Sequence, residues 1–468
     1  MNQQINKSAN CDSSYPVTAP PPDRFSLTTH LTATTEEQKP SVAPSFISTL
    51  SAFAERSKGV LALCDQGMVS LTNFLTGLVI GRVAGKTELG LYALGLTLTM
   101  MAAQLSQALI TTPYTVFAPT MGKTERNRYL GSMLVQQVVL AVLIALLMFL
   151  TILALPHTAS RGVGPTVNVA ASMLVFISLR EFVRRICFAD LNIGAAVALD
   201  IGACLAQTAG ITVLWRTGRL TASATYLLLG AISMLVALAW IALNRTHLSM
   251  DYRHWLPGLK HNWEFAKWLL ASGLVWAVAM YLYPWFLTVF HGAGVTGIWA
   301  ASSGLVALLN PVLLGRWNYI GPKIAHIYAS NGKRALSHYV YRDSMIEVAL
   351  LLPLAALLFI GGGRILTTMY GAAYTGNGLV IALLALNLLL SAFNYPYTRG
   401  LFALNAARMD TIINLAAFAI LFTVGIAAAN VHGVLGAAAA LLLSAVTTTA
   451  MRVVAFVRAS RVSFSAHI

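Results

Sequence analysis

The feature that most constrains this chain is a succession of apolar segments, each close to the ~20 residues that carry a helix across a bilayer. They fall at about 60–83, 90–116, 131–155, 167–188, 192–214, 222–243, 267–290, 295–315, 345–366, 377–400, 410–430 and 433–456, twelve in all. The expected fold class is therefore all-α: a polytopic membrane protein. Charged residues make up 10% of the 468 residues and the mean hydropathy is +0.70, where a soluble domain would carry about 25% charge. A net charge of +15 would suggest nucleic acid for a soluble protein. Here the basic residues sit between apolar spans, so topology accounts for them and no nucleic-acid partner is expected.

Topology follows from where those basic residues lie. With the N-terminus in the cytoplasm, 25 of the 31 Lys and Arg fall on the inner side and 6 on the outer. Both termini are thus expected to be cytoplasmic. Residues 1–44 are rich in Ser, Thr and Pro and lack the apolar run of a signal peptide, so a disordered cytoplasmic tail is expected. Residues 45–59 suit a short amphipathic helix on the membrane surface, with Phe46, Leu50 and Phe53 turned inward. The outer loops are short, which leaves no room there for a catalytic domain. Cys11, Cys64, Cys187 and Cys204 have no metal-ligand spacing and are expected as free thiols. Nothing resembles a nucleotide loop, a zinc site or a nucleophile triad, so ATP-driven transport within the chain is not expected; no cofactor is expected, and the short outer loops point away from an enzyme.

The widest polar interruption between the spans, 244–266, divides them six and six. The division gives an N-terminal bundle over 45–243, a cytoplasmic linker, a C-terminal bundle over 267–458 and a cytoplasmic tail over 459–468. A shift of 207 residues lays Gly85, Gly90 and Tyr92 on Gly292, Gly297 and Trp299. In both places a Gly turn opens an even-numbered span, which then ends near a proline, Pro113 or Pro322. Six plus six in one orientation is a parallel repeat about an axis along the membrane normal, with substrate between the halves.

The first span carries Asp65, Gln66, Ser70, Thr72, Asn73 and Thr76 within roughly a 160° arc, which Val69 and Ile80 share. Leu71, Phe74, Leu75 and Leu78 lie opposite. A carboxylate in a span is costly unless it meets a wet cavity or a partner. Asp65 therefore reads as a proton or sodium coupling site, as an anchor for a cavity Arg, or as part of a structural hydrogen-bond network. Asp200 and Gln207 share a face of span five, and Asn387 and Asn394 share one in span ten. Arg180 and Arg184 form a basic row closing span four, beside a Glu181–Arg185 pair at i, i+4. The row suits a diphosphate, although ordinary positive-inside topology is the favoured reading. Trp276 and Tyr281, with Tyr283 and Trp285 about Pro284, belong either to a cavity or to the interfacial aromatic belt.

Asp65-Gln66, the run Ser70 to Leu75, Gly81-Arg82 and the Gly90 to Leu94 opening of span two resemble the polysaccharide-export branch of the multidrug/oligosaccharidyl-lipid/polysaccharide (MOP) flippase superfamily, in particular its O-antigen and teichoic-acid exporter-like members. The resemblance covers the architecture after residue 45. It implies a V-shaped bacterial inner-membrane flippase with a central cavity, surrounded by membrane lipids, that moves a lipid-linked (polyprenyl-diphosphate) oligosaccharide for surface polysaccharide biosynthesis by alternating access. The sister branch of multidrug and toxin extrusion (MATE) proteins shares the fold and carries a span-one acid for cation coupling. A cation-coupled drug antiporter is thus the competing reading. A membrane-embedded polysaccharide polymerase is a third, against which the short outer loops argue. The predicted cavity candidates are Asp65, Gln66, Asn73, Asp200, Gln207, Arg180, Arg184, Trp276, Tyr281, Asn387 and Asn394.

Overall fold

The computed structural model describes residues 46–154, 157–248, 262–267, 270, 277 and 281–461. The expected N-terminal tail, most of the linker, Trp276 and residues 462–468 lie outside the described residues. Helices α1 (Phe46–Val79), α2 (Lys86–Thr120), α3 (Lys123–Ala154), α4 (His157–Ala189), α5 (Ile193–Arg216) and α6 (Ala222–Leu243) form the first half. The second half holds α7, described over Tyr283–His291, then α8 (293–331), α9 (333–370), α10 (Gly378–Ala403), α11 (407–432) and α12 (434–461). The surface helix expected over 45–59 is not separate: α1 runs unbroken from Phe46. Two pairs of helices run end to end and change direction at non-helical glycines, Gly332 between α8 and α9 and Gly433 between α11 and α12. Nine stretches among the described residues are long and apolar enough to span a membrane, and two of them contain these breaks.

The same backbone geometry recurs in the two halves. Gly85, before α2, has φ 92° and ψ 174°; Gly292, before α8, has φ 85° and ψ 165°. This left-handed region is strained for residues with a Cβ, which is why glycine opens both helices. The α4–α5 turn passes through Leu191 at φ 56°, and the α10–α11 turn through Asn405 at φ 56°, 214 positions on. In both turns the next residue's N–H returns five residues, Asn192 to the Cys187 carbonyl and Ala406 to the Leu401 carbonyl, each at 2.9 Å. These paired features are what a parallel repeat leaves in a backbone.

Among the described residues, three short π-helical turns interrupt the spans, at Ile80–Ala84, Gln107–Thr111 and Leu421–Gly425. A π-turn shifts the hydrogen-bond ladder and frees carbonyls, which in a membrane must find donors. Tyrosine hydroxyls supply two of them. Tyr374 donates to the Gly81 carbonyl at 3.2 Å, and Tyr283 to the Leu421 carbonyl at 3.1 Å. A third hydroxyl, fully buried Tyr226, donates to the Tyr92 carbonyl at 2.6 Å and ties α6 to α2. Tyr226→Phe is expected to lower the unfolding free energy by about 1 kcal/mol. Thermal unfolding in detergent checks this; a variant as stable as the wild type contradicts it.

The halves meet along a seam at the end of the bundle that carries Gly85, Gly292 and Gly371. There α2 crosses α8 with no space between the backbones. A Cβ on Gly90 would lie 1.8 Å from the Ala293 carbonyl oxygen, and one on Gly297 would lie 1.8 Å from that of Lys86. The two glycines that the 207-residue shift superposes are thus neighbours, as residues beside a two-fold axis must be. Arg82, at the end of α1, donates to the carbonyls of Thr368 and Met369 at 2.5 and 2.7 Å. These are the last carbonyls of α9, where a cation is favoured. Deeper in, the Trp285 indole N–H donates to Thr97 Oγ1 at 2.9 Å, joining α7 to α2.

Candidate functional site

Below the seam a cavity of about 540 Å³ lies between the halves. Its walls come from one face of α1 (Gln66, Ser70, Asn73, Gly77), from Tyr92 on α2, from Gly304 and Asn310 on α8 and from Tyr370 on α9. The single polar stripe expected of α1 is resolved into two. At 100° per residue Asp65, Thr72 and Thr76 cluster within about 40°, and Gln66, Ser70, Asn73 and Gly77 cluster about 100° further round. The second set lines the cavity. The first set is buried inside the first half: Asp65 is 1% exposed, Thr72 8% and Thr76 3%.

Asp65 meets its partners there. Arg184 on α4 donates from Nη2 to Asp65 Oδ2 at 2.8 Å and from Nε to Asp200 Oδ2 on α5 at 2.5 Å. Arg180, one helical turn earlier, donates to Asp200 Oδ1 at 2.7 Å. Two arginines and two aspartates cancel in charge and tie α1, α4 and α5 together. Burial of such charges is tolerable because each is paired and hydrogen-bonded. Arg184 Nη2 also lies 3.4 Å from Gln66 Oε1, so the network touches the cavity wall from behind. Gln207, two turns along α5 from Asp200, donates to Thr76 Oγ1 at 2.9 Å. It too belongs to the interior of the first half.

The other sequence candidates are placed apart from this network. Asn394 is buried and donates to Thr449 Oγ1 on α12 at 2.6 Å. Asn387 is half-buried on α10, and its carbonyl accepts the Ser391 hydroxyl at 2.9 Å. Tyr281 is half-buried just before α7. The Glu181–Arg185 pair forms as the i, i+4 spacing requires, at 2.7 Å.

Two groups were not singled out from the sequence. Asn310 and Tyr370 line the cavity from the second half; Asn310 announces itself only as a polar residue before Pro311 inside a span. Asp343 and Glu347 on α9 receive Arg316 of α8, at 3.0 and 2.9 Å. Their i, i+4 spacing at the start of an apolar run was the available signal. A further ion pair, Arg452 to Asp410 at 2.8 Å, joins α12 to α11. Among the described residues, no cluster of His, Cys, Asp and Glu could hold a metal ion.

No family model matches the chain, and no curated protein matches it by sequence. Solved structures do. An inward-facing multidrug-resistance MATE transporter of the MOP superfamily is 12% identical, with 85% of this chain and 96% of that one covered and a TM-score of 0.66. The lipid II flippase MurJ, in an inward closed conformation, is 12% identical over 86% and 90% of the two chains, TM-score 0.62. A MOP superfamily transporter from Pyrococcus furiosus is 12% identical over 86% and 93%, TM-score 0.58. The chain therefore has the all-helical, polytopic fold shared by the transporters and flippases of the MOP superfamily.

Proposed function

We propose that the chain is a flippase that carries a lipid-linked saccharide across the bacterial inner membrane by alternating access between its two halves. The observation that carries this reading is the chemistry of the cavity. Its wall offers the amides of Gln66, Asn73 and Asn310, the Ser70 hydroxyl and the tyrosines Tyr92 and Tyr370, and among the described lining residues none is ionised. Amides and hydroxyls exchange hydrogen bonds with sugar hydroxyls; Tyr92 and Tyr370, buried and packed on Tyr226 and Tyr374, close the wall behind them. A cationic drug would call for a carboxylate in that wall. The carboxylates of α1 and α5 are instead committed to Arg180 and Arg184.

The seam supports the alternating part of the reading. The α2–α8 backbone contact and the Arg82 bonds lie at the Gly85 end, while Arg180, Arg184, Arg316 and Arg452 towards the opposite end bond within their own half; the described bond that leaves the first half there, Tyr129 to Asn262 at 2.7 Å, goes to the linker. By the distribution of Lys and Arg the opposite end is cytoplasmic, so this conformation receives substrate from the cytoplasmic side. In this reading the arginine row is not a free phosphate clamp. Arg184 steadies Gln66 and holds α4 against α1.

Replacing Gln66 and Asn73 together by Leu is expected to reduce surface-polysaccharide export at least tenfold while the protein still inserts. Loss of two to three hydrogen bonds of about 1 kcal/mol each accounts for that factor. Export by the double variant at the wild-type level, measured by surface-glycan staining of a complemented deletion strain, overturns the assignment of this wall to the sugar.

A further inference from the structure

A second cavity, of about 480 Å³, lies in the second half between α8 and α10. Trp317, Gly321, Pro322, Tyr395, Arg399 and Phe402 line it. The Trp317 and Tyr395 rings stack in parallel, 4.4 Å apart at 8°, and the Tyr395 hydroxyl donates to the Trp317 carbonyl at 3.0 Å. The Arg399 guanidinium lies over Tyr395, 4.8 Å from the ring centre, and 5.8 Å from that of Phe402. Arg399 Nε and Trp317 Nε1 are both buried, and neither has a hydrogen-bond partner.

The repeat shows what is missing. The 214-residue offset of the Leu191 and Asn405 turns lays Arg185 and Glu181 of α4 on Arg399 and Tyr395 of α10. In the first half the guanidinium is neutralised by Glu181 at 2.7 Å. In the second half tyrosine takes the acid's place, and among the described residues no carboxylate meets Arg399. The result is a cation with a fixed fork of donors and an aromatic platform, in a pocket with no acid of its own. Such a pocket selects an anion that accepts two parallel N–H bonds, as phosphate does.

Its position names the kind of phosphate. Arg399 is four residues from the end of α10, about 6 Å along the axis. The 26 residues of α10 make a helix of ~39 Å against a hydrocarbon thickness of ~30 Å, which puts Arg399 at the boundary between hydrocarbon and headgroups. Phe402 beside it is 42% exposed, an apolar flank suited to an acyl or prenyl chain. We infer that the Arg399–Trp317–Tyr395 pocket binds the phosphate of a membrane lipid, with the guanidinium as donor and the Trp317–Tyr395 stack as its wall. The assignment does not depend on the proposed substrate, because a bilayer phospholipid and a polyprenyl carrier present the same group.

The test is lipid titration of the full-length protein in detergent, read by native mass spectrometry. Phosphatidic acid, a polyprenyl phosphate, diacylglycerol and inorganic phosphate are the probes. At least one lipid phosphate is expected to bind ten times or more tighter than diacylglycerol and than inorganic phosphate. Arg399→Gln should lower that affinity about tenfold, and Arg399→Lys, which keeps the charge and loses the fork, less. Preference for phosphatidic acid identifies a bilayer lipid as the ligand; preference for the polyprenyl phosphate identifies the carrier. Quenching by a brominated-chain version of the preferred lipid should diminish in Trp317→Phe, a readout that leaves Arg399 intact. Equal binding of diacylglycerol, equal binding of inorganic phosphate, or an Arg399→Gln variant with unchanged affinity overturns the proposal.

Discussion

Gly90→Val is expected to abolish transport while leaving each half folded. The reason is the approach of α2 and α8, where even a methyl group at Gly90 would stand 1.8 Å from the Ala293 carbonyl oxygen. That atom is backbone and cannot rotate away, so the helices themselves must separate. Overpacking of this kind costs about 1–3 kcal/mol per site, and here the contact crosses between halves, so the cost falls on the closed seam alone. Each 1.4 kcal/mol moves the balance of closed and open seam tenfold. Gly297→Val should act in the same way, because its Cβ would meet the Lys86 carbonyl oxygen at 1.8 Å. Disulfide trapping between Arg82→Cys and Met369→Cys reads the seam directly: rapid in the Gly90 background, slow in Gly90→Val. Equal trapping in the two backgrounds contradicts the assignment of these glycines to closure.

Asp200→Ala is expected to be the most destabilising single change in the first half. Asp200 accepts from both Arg180 and Arg184, at 2.7 and 2.5 Å, and is 1% exposed. Its removal leaves two arginines with only Asp65 between them. Removing one partner of a buried pair costs about 3–5 kcal/mol, mostly through the uncompensated charge that remains. Arg184→Met combined with Asp65→Asn removes one charge of each sign and leaves the Arg180–Asp200 pair whole. The double variant should therefore be more stable than Asp200→Ala despite carrying two substitutions. Thermal unfolding in detergent, followed by tryptophan fluorescence, separates the two cases. If Asp200→Ala melts with the wild type, the network is not structural.

The spans and the repeat were legible because each rests on local information. Span length and the Gly85 and Gly292 turns are written into consecutive residues. So was the Glu181–Arg185 pair, set by helix geometry alone. The two stripes of α1 were not separable, because they lie about 100° apart within one polar arc. Only the position of α5 decides which of them is buried. The pairing of the arginine row with Asp200 is not written in either helix alone, because Asp200 lies on the next one. Yet Arg184 and Asp200 stand eight residues either side of Asn192, in the turn between α4 and α5. An antiparallel hairpin brings such residues to one level. Arg316 and Glu347 obey the same rule about Gly332, sixteen residues before and fifteen after. The rule holds wherever the turn is tight, and the turn is what a hydropathy pattern locates least well.

The measurement that bears most directly on the proposed function is movement of a lipid-linked saccharide across proteoliposomes containing the purified chain. A fluorescent or radiolabelled polyprenyl-diphosphate glycan is placed in both leaflets, and its accessibility to an added glycan-cleaving enzyme is followed in time. The cavity of amides, hydroxyls and tyrosines predicts that wild-type protein renders the protected inner-leaflet pool accessible. Gly90→Val should not do so, and neither should the Gln66→Leu, Asn73→Leu double variant. Wild-type vesicles that leave the glycan protected while exporting a cationic dye against a proton or sodium gradient would contradict the flippase reading.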